Sequence, residues 1–290
     1  TQLQSSAASD VYKRQELQTS NGEPIDSGPI QTKACRPFGN NAGMVLGESS
    51  QFIILVESKL AIELGADVYG SIGSVHSHSD GHKSSISGPG VGNYITMAKC
   101  VSDAEKDIGL NSLRKSTFVH AHGTGTPANR TTESHILDNI ASTFGIKNWP
   151  VSGIKSYLGH SMAPASGDQL IAALGTWNKG VIPGIHSTDN LAEDVYAENL
   201  DILLDNKTKE ADFYKGCFLN AKGFGGNNAS AFILSPEETR KKMQSSISSN
   251  KYKQYLSKVE KTKKKSYRYN AACLKGDYQV TYKFNENVLN

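Results

Sequence analysis

Two histidines and a lysine are the side chains best placed to do chemistry. His122 heads the run His122-Gly123-Thr124-Gly125-Thr126-Pro127, and Lys155 and His160 bound the run Lys155-Ser156-Tyr157-Leu158-Gly159-His160. Imidazole changes charge near neutral pH, so it can exchange a proton or donate a hydrogen bond there. An ammonium group beside it can hold an anion or orient a partner. A lone histidine after a strand is usually a satisfied polar residue, and a lone lysine near a helix start is usually solvated. The functional case rests on two such runs of the same build.

The elements around these runs have to bring them together. Thr117-Phe118-Val119 precedes the first run and Val151-Ser152-Gly153-Ile154 precedes the second. Each is expected to be a buried strand that releases a polar side chain at its carboxyl end, where open α/β sheets place their sites. A helix of small residues is expected to open at Gly159-His160 and to fill residues 165–177. A third run, Lys222-Gly223-Phe224-Gly225-Gly226-Asn227-Asn228, carries paired glycines, which suit a turn whose backbone closely approaches another group.

In this order, and about thirty and sixty residues apart, the three runs resemble the signatures of the β-ketoacyl-ACP synthases. These are the condensing enzymes of fatty-acid and polyketide synthesis, in the thiolase superfamily. Arg36-Pro37-Phe38 and Gly43-Met44-Val45-Leu46-Gly47-Glu48 extend the resemblance to residues 36–235. It implies an α/β, thiolase-like fold that is incomplete. Residues 32–90 would be the end of an N-terminal half and residues 91–235 a C-terminal half. A leader, 1–31, disordered or foreign to the natural gene, would precede them, and a basic extension, 236–290, would follow.

The resemblance also implies a reaction, a decarboxylative Claisen condensation of an acyl group with malonyl-ACP. His122 and His160 would donate neutral N–H groups to the malonyl thioester oxygen, and Lys155 would hold the network between them. Glu133, eleven residues beyond His122, is expected to be a first-turn helix carboxylate, a partner for Lys155, or both. Phe224 would gate the acyl pocket and lend its backbone N–H to the acyl oxyanion hole, with Gly225 in support. Thr124, Thr126 and Phe224 would contact substrate. Asp80 and His82 fall on a loop pattern beside the substrate tunnel. Acyl carrier protein is the implied partner, the full-length protein a homodimer, and no cofactor is needed.

One departure bears on catalysis. The family's nucleophile is a cysteine in a turn at a helix start, upstream of the Arg-Pro-Phe stretch, and no such turn is present. Cys35, Cys100, Cys217 and Cys273 all lack the context that lowers a thiol pKa. The chain is therefore expected to be a fragment that cannot condense acyl groups alone. Asn129-Arg130 after the proline and Lys222 before Gly223-Phe224 also depart from the usual pattern and point to a less common subgroup. The alternative is a non-catalytic partner of the chain-length-factor type, which usually loses the histidines as well.

Composition supports an α/β protein and narrows the rest. The chain has 290 residues, 37% of them hydrophobic, with 27 glycines, enough for one large domain with extensions. No apolar run is long enough for a membrane span, and the polar start is not a signal peptide. Four scattered cysteines indicate a reduced, cytoplasmic protein, not a disulfide scaffold. The net charge of +3 hides an asymmetry: residues 237–290 hold 13 Lys or Arg against 5 Asp or Glu, so the rest of the chain is net acidic. Without a recognised motif this charge does not indicate nucleic acid, and a solvated face or an acidic partner explains it better. His76, His78 and His82 invite a metal, but no element would aim all three at one point. Further strands are expected at 52–56, 68–75, 200–204, 217–221, 229–234 and 277–284, and helices at 59–64, 92–106 and from 131.

Overall fold

The computed structural model describes residues 34–41, 43–81 and 90–277. The leader, His82 and all but the first residue of the strand expected at 277–284 lie outside these. In chain order the elements are α1 (Ser58–Leu64), β1 (Ser71–Ser79), α2 (Val91–Lys115), β2 (Thr117–His120), α3 (Pro127–Phe144), β3 (Trp149–Ser152), α4 (Lys155–Leu158), α5 (Ala165–Lys179), β4 (Val181–Ile182), β5 (Leu200–Ile202), β6 (Lys207–Thr208), β7 (Gly216–Gly223), β8 (Asn227–Leu234), α6 (Pro236–Ser245) and α7 (Ser249–Leu274). The described residues fall into two compact units, one made of those up to Ile53 with those of 69–239, and one of Ile54–Val68 with those from Arg240 on.

The first unit is built on a six-stranded sheet in the order β1-β8-β7-β2-β3-β5. Its middle is parallel: β7, β2, β3 and β5 all run the same way. β8 and β1 are added antiparallel at one side. Residues alternate between faces, as strand geometry requires. Phe218 and Phe232 pack with Met97, Cys100 and Val101 of α2 and Ile136, Leu137 and Ile140 of α3. Cys217, Leu219 and Ile233 point the other way and meet Ala173 and Trp177 of α5. β2 is buried along its whole length, as a strand covered on both faces of a parallel core must be. Each large side chain fully buried there contributes about 1.5–3 kcal/mol. Helix ends follow their sequence signals: Pro127 opens α3, and Gly145 and Gly180 close α3 and α5 in the left-handed conformation.

The second unit joins α1 to α7 and most of α6 around Ala61, Ile62, Met243, Tyr255 and Val259. Gly65 ends α1 with φ of 68°, and the Ser248 hydroxyl caps α7 by accepting the Lys251 N–H. The basic stretch is thus helical: α7 carries eight Lys or Arg against Glu260 alone. No helix among the described residues is long and apolar enough to cross a membrane.

Several elements differ from expectation. Residues 52–56 form no strand, and Phe52 and Ile54 are 97% and 88% exposed. The run has strand composition, but no described strand pairs with it, and an apolar run becomes a buried strand only when a neighbour supplies its hydrogen bonds and covers its face. The strand expected at 68–75 begins at Ser71, where pairing with β8 starts, and continues to Ser79. The helix expected at 92–106 runs on to Lys115 through a break at Gly109, whose φ is 77°. The helix expected to open at Gly159-His160 is two pieces, with α4 ending before Gly159 and α5 starting at Ala165. His160 therefore sits in the link between them.

Candidate active site

All three runs reach the same edge of the sheet. β2, β3 and β7 are parallel, so the residues just past their ends gather where the strands terminate. His122 lies two residues beyond β2, Lys155 begins α4 after β3, and Phe224 follows β7. The His122 and His160 rings face each other edge to face, with centroids 5.3 Å apart and planes at 80°. Both line one cavity of about 290 Å³, together with Met44, Thr124, Thr126 and Phe224.

Backbone donors fix the tautomer of each ring. The Lys222 N–H donates to His122 Nδ1 at 3.3 Å, and the Met162 N–H donates to His160 Nδ1 at 3.0 Å. A ring nitrogen that accepts carries no proton, so in the neutral ring the proton sits on Nε2. Neutrality is enforced by the surroundings. Burial, then Lys155, then Asp168 in opposition, set His160, whose pKa is pushed down to about 4. Burial holds His122 well below its ordinary value, helped by Lys155, His160 and Lys222. Each imidazole is thus an Nε2–H donor at neutral pH.

Lys155 is 2% exposed and donates from Nζ to the His122 carbonyl. Burial lowers its pKa to about 8, with Glu133, Cys35 and Asp168 opposing, so a cation persists at neutral pH. Glu133 is fully buried. It lies in the second turn of α3, so the first-turn reading fails, and dipole attraction is not what holds it. Its carboxylate accepts from the backbone N–H groups of His122 (2.7 Å) and Gly123 (2.8 Å) and from the side-chain amides of Asn129 (3.0 Å) and Asn220 (2.7 Å). Toward Lys155 it acts through charge while fixing the backbone that carries His122.

The Thr124 and Thr126 hydroxyls bond to each other at 2.9 Å and face the cavity. Gly225 and Gly226 have φ of 79° and 82°, so their turn needs glycine for its handedness, while the crowding expected there is absent: a Cβ on Gly225 would meet only Asn227 Nδ2, at 3.8 Å. Crowding does select glycine elsewhere. His160 is bridged to the segment after Phe38, its N–H reaching Val45 O at 2.6 Å and its carbonyl accepting from Gly47 N at 3.1 Å. A Cβ on Gly47 would sit 1.9 Å from the Leu158 carbonyl oxygen.

Asn220 and Asn129, which anchor Glu133, were not singled out as site residues from the sequence. An asparagine inside the apolar run of β7 was the available signal. Asp80 accepts from the Gly92 N–H, while its expected companion His82 is outside the described residues. Among the described residues, no three His, Cys, Asp or Glu gather to hold a metal ion.

The three buried thiols, Cys35, Cys100 and Cys217, are poor nucleophiles as placed. Burial pushes Cys35 and Cys100 up to about 11 and Cys217 well above its ordinary value. Cys100 lies within α2 and Cys217 in β7, neither at a helix start. We expect native Cys35 and Cys100 to react with iodoacetamide at pH 7 about a hundredfold more slowly than a free thiol, and Cys217 also to react more slowly than a free thiol. Mass-spectrometric labelling rates check this, and rapid alkylation of any of the three contradicts it.

Comparison with known proteins follows the same stretch. Residues 69–189, which hold His122, Lys155 and His160, match the β-ketoacyl synthase C-terminal domain family. Over 258 residues the chain is 46% identical to the β-ketoacyl-[acyl-carrier-protein] synthase FabY of Pseudomonas aeruginosa, covering 89% of this chain and 40% of that one. It is 28% identical over 216 residues to 3-oxoacyl-[acyl-carrier-protein] synthase 2 of Vibrio cholerae, covering 74% and 48%. It superposes on the crystal structure of the noncanonical ketosynthase FabY from P. aeruginosa with a TM-score of 0.88 at 43% identity, covering 95% of this chain and 42% of that one. The chain therefore spans less than half the length of these relatives. The fold is the thiolase-like α/β fold of that ketosynthase. Since the matched domain contains the strand ends that deliver both imidazoles and the lysine, the chain belongs to the β-ketoacyl synthase family and carries its C-terminal domain.

Proposed function

We propose that this chain supplies the decarboxylating part of a β-ketoacyl-ACP synthase site. The observation that carries the reading is the pair of neutral Nε2–H donors on one cavity. Decarboxylation of a malonyl thioester breaks a C–C bond, releases carbon dioxide and moves the electron pair into the thioester carbonyl. Charge develops on that oxygen, and two preorganised donors stabilise it as it forms. The enolate carbon then attacks an acyl thioester, expelling the thiolate that carried it and giving the β-ketoacyl product. His122 and His160 are the donors. Lys155 fixes the His122 carbonyl and adds positive potential, which favours the enolate and keeps both rings uncharged.

Thr124 and Thr126 offer hydroxyls to the arm that bears the thioester, and Phe224 borders the acyl side. The scheme needs no cofactor. Acyl carrier protein is the proposed donor of the malonyl group, in line with the names of the relatives, and a cytoplasmic homodimer is the proposed setting. The accepting thiol is proposed to lie outside these 290 residues, because burial disfavours the thiolates of Cys35, Cys100 and Cys217. Retention of both histidines in a tuned environment favours an enzyme over a non-catalytic partner of the chain-length-factor type.

The test is condensation by the 290-residue chain and by a ketosynthase-length protein that contains it. With acyl thioester and malonyl-ACP, we expect ketoacyl product from the longer protein only. Acyl transfer onto one of these four cysteines, followed by ketoacyl product, overturns the division of labour.

A further inference from the structure

One buried carboxylate near the site is left over by this scheme. Asp168 lies in the first turn of α5 and is 7% exposed. Its Oδ2 accepts from the hydroxyls of Ser161 and, at 3.1 Å, of Ser49, and its Oδ1 accepts from the Gln51 amide. Ser161 directly follows His160. Ser49 and Gln51 belong to the segment whose Val45 and Gly47 are hydrogen-bonded to the His160 backbone. The carboxylate therefore ties together both sides of the bridge that holds His160. Room for it is built in: a Cβ on Gly167 would sit 2.5 Å from Gln51 Oε1.

The next residue along carries strain. Met162 has φ of 66°, a left-handed conformation that an ordinary residue keeps only where its surroundings over-determine it. That backbone turn aims the Met162 N–H at His160 Nδ1, the contact that leaves the proton on Nε2. Asp168, holding Ser161 between His160 and Met162, is the group placed to maintain the turn. Its charge also opposes that of Lys155 at the His160 ring.

We propose that Asp168 is a positioning residue for His160: through Ser161, Ser49 and Gln51 it holds the turn at Met162 so that His160 presents Nε2–H to the cavity. This rests on the proposed role of His160 and adds a residue to it. Asp168 touches neither the cavity nor the thioester, so its loss should appear in kcat and leave KM for the malonyl thioester unchanged.

The experiment is a double-mutant cycle in malonyl-thioester decarboxylation by the ketosynthase-length protein, using Asp168→Ala, His160→Ala and the pair. We expect Asp168→Ala to lower kcat about a hundredfold, as a misplacement of about 1 Å does. In the His160→Ala background the same change should alter the rate by no more than about twofold, because the group it positions is gone. Asp168→Asn keeps the shape and covers the case in which the alanine variant does not fold; it should lose about tenfold, again in kcat only. Equal losses in both backgrounds indicate a general structural role and overturn the proposal, as does a fully active Asp168→Asn. If His160→Ala retains its full rate, the reading of the site fails along with it. If His160→Ala is inactive while Asp168→Ala is not, the Asp168 assignment alone fails.

Discussion

Replacing His122 or His160 with alanine in the ketosynthase-length protein should lower malonyl-thioester decarboxylation about a hundred- to a thousandfold, the usual cost of one preorganised donor. Acyl loading onto the nucleophile should remain largely intact, because neither ring is assigned to that step. The size of the effect follows from burial. The two rings are 8% exposed, and each donor is oriented before the substrate arrives by a backbone N–H on Nδ1. A donor fixed in this way costs no reorganisation when charge develops. Equal loss of both steps would argue against the assignment.

The pH profile tests the same point. Both histidine pKa values are depressed, so the neutral rings whose Nδ1 accepts a backbone N–H are present above them; as pH falls through His160 at about 4, Nδ1 takes a proton, that contact breaks and the fixed aim of Nε2–H is lost. Lys155 is depressed to about 8, so its cation is present below that value and is lost as pH rises through it. Decarboxylation should therefore be flat between about pH 5 and 7 and decline on either side. A single limb near pH 6.5 would mean an exposed, ordinary imidazole and would contradict the buried pair.

Much of this site was legible in the sequence because it depends on strand ends. Apolar runs before His122 and Lys155 predicted strands, and parallel strands bring their carboxyl ends to one edge whatever their lengths. What could not be read was pairing. Residues 52–56 look like a buried strand yet are exposed, since burial depends on a neighbour that composition does not reveal. Glu133 was placed in a first turn because the helix was expected to start at residue 131, whereas Pro127 starts it four residues earlier. Asp168 was invisible for a related reason: its partners Ser49 and Gln51 are more than a hundred residues away, and nothing local marks the link.

The second large effect concerns stability. Glu133→Ala removes the acceptor of two backbone N–H groups and two side-chain amides in a fully buried place, and takes away a countercharge to Lys155. Breaking a buried, hydrogen-bonded charge network by deleting one partner costs about 3–5 kcal/mol. Urea unfolding should show a loss in that range. Glu133→Gln should lose less, since the amide keeps one oxygen as an acceptor. A midpoint for Glu133→Ala close to the parent's would mean that water or another residue satisfies those donors, and that the His122 backbone does not depend on the carboxylate.

The central claim, two uncharged imidazoles converging on one oxygen, is tested most directly by a crystal structure with a malonyl-thioester analogue that cannot lose carbon dioxide. The thioester oxygen should lie about 2.7–3.1 Å from Nε2 of both His122 and His160. An analogue whose thioester oxygen reaches only one ring, or whose carboxylate takes the place between them, would contradict it.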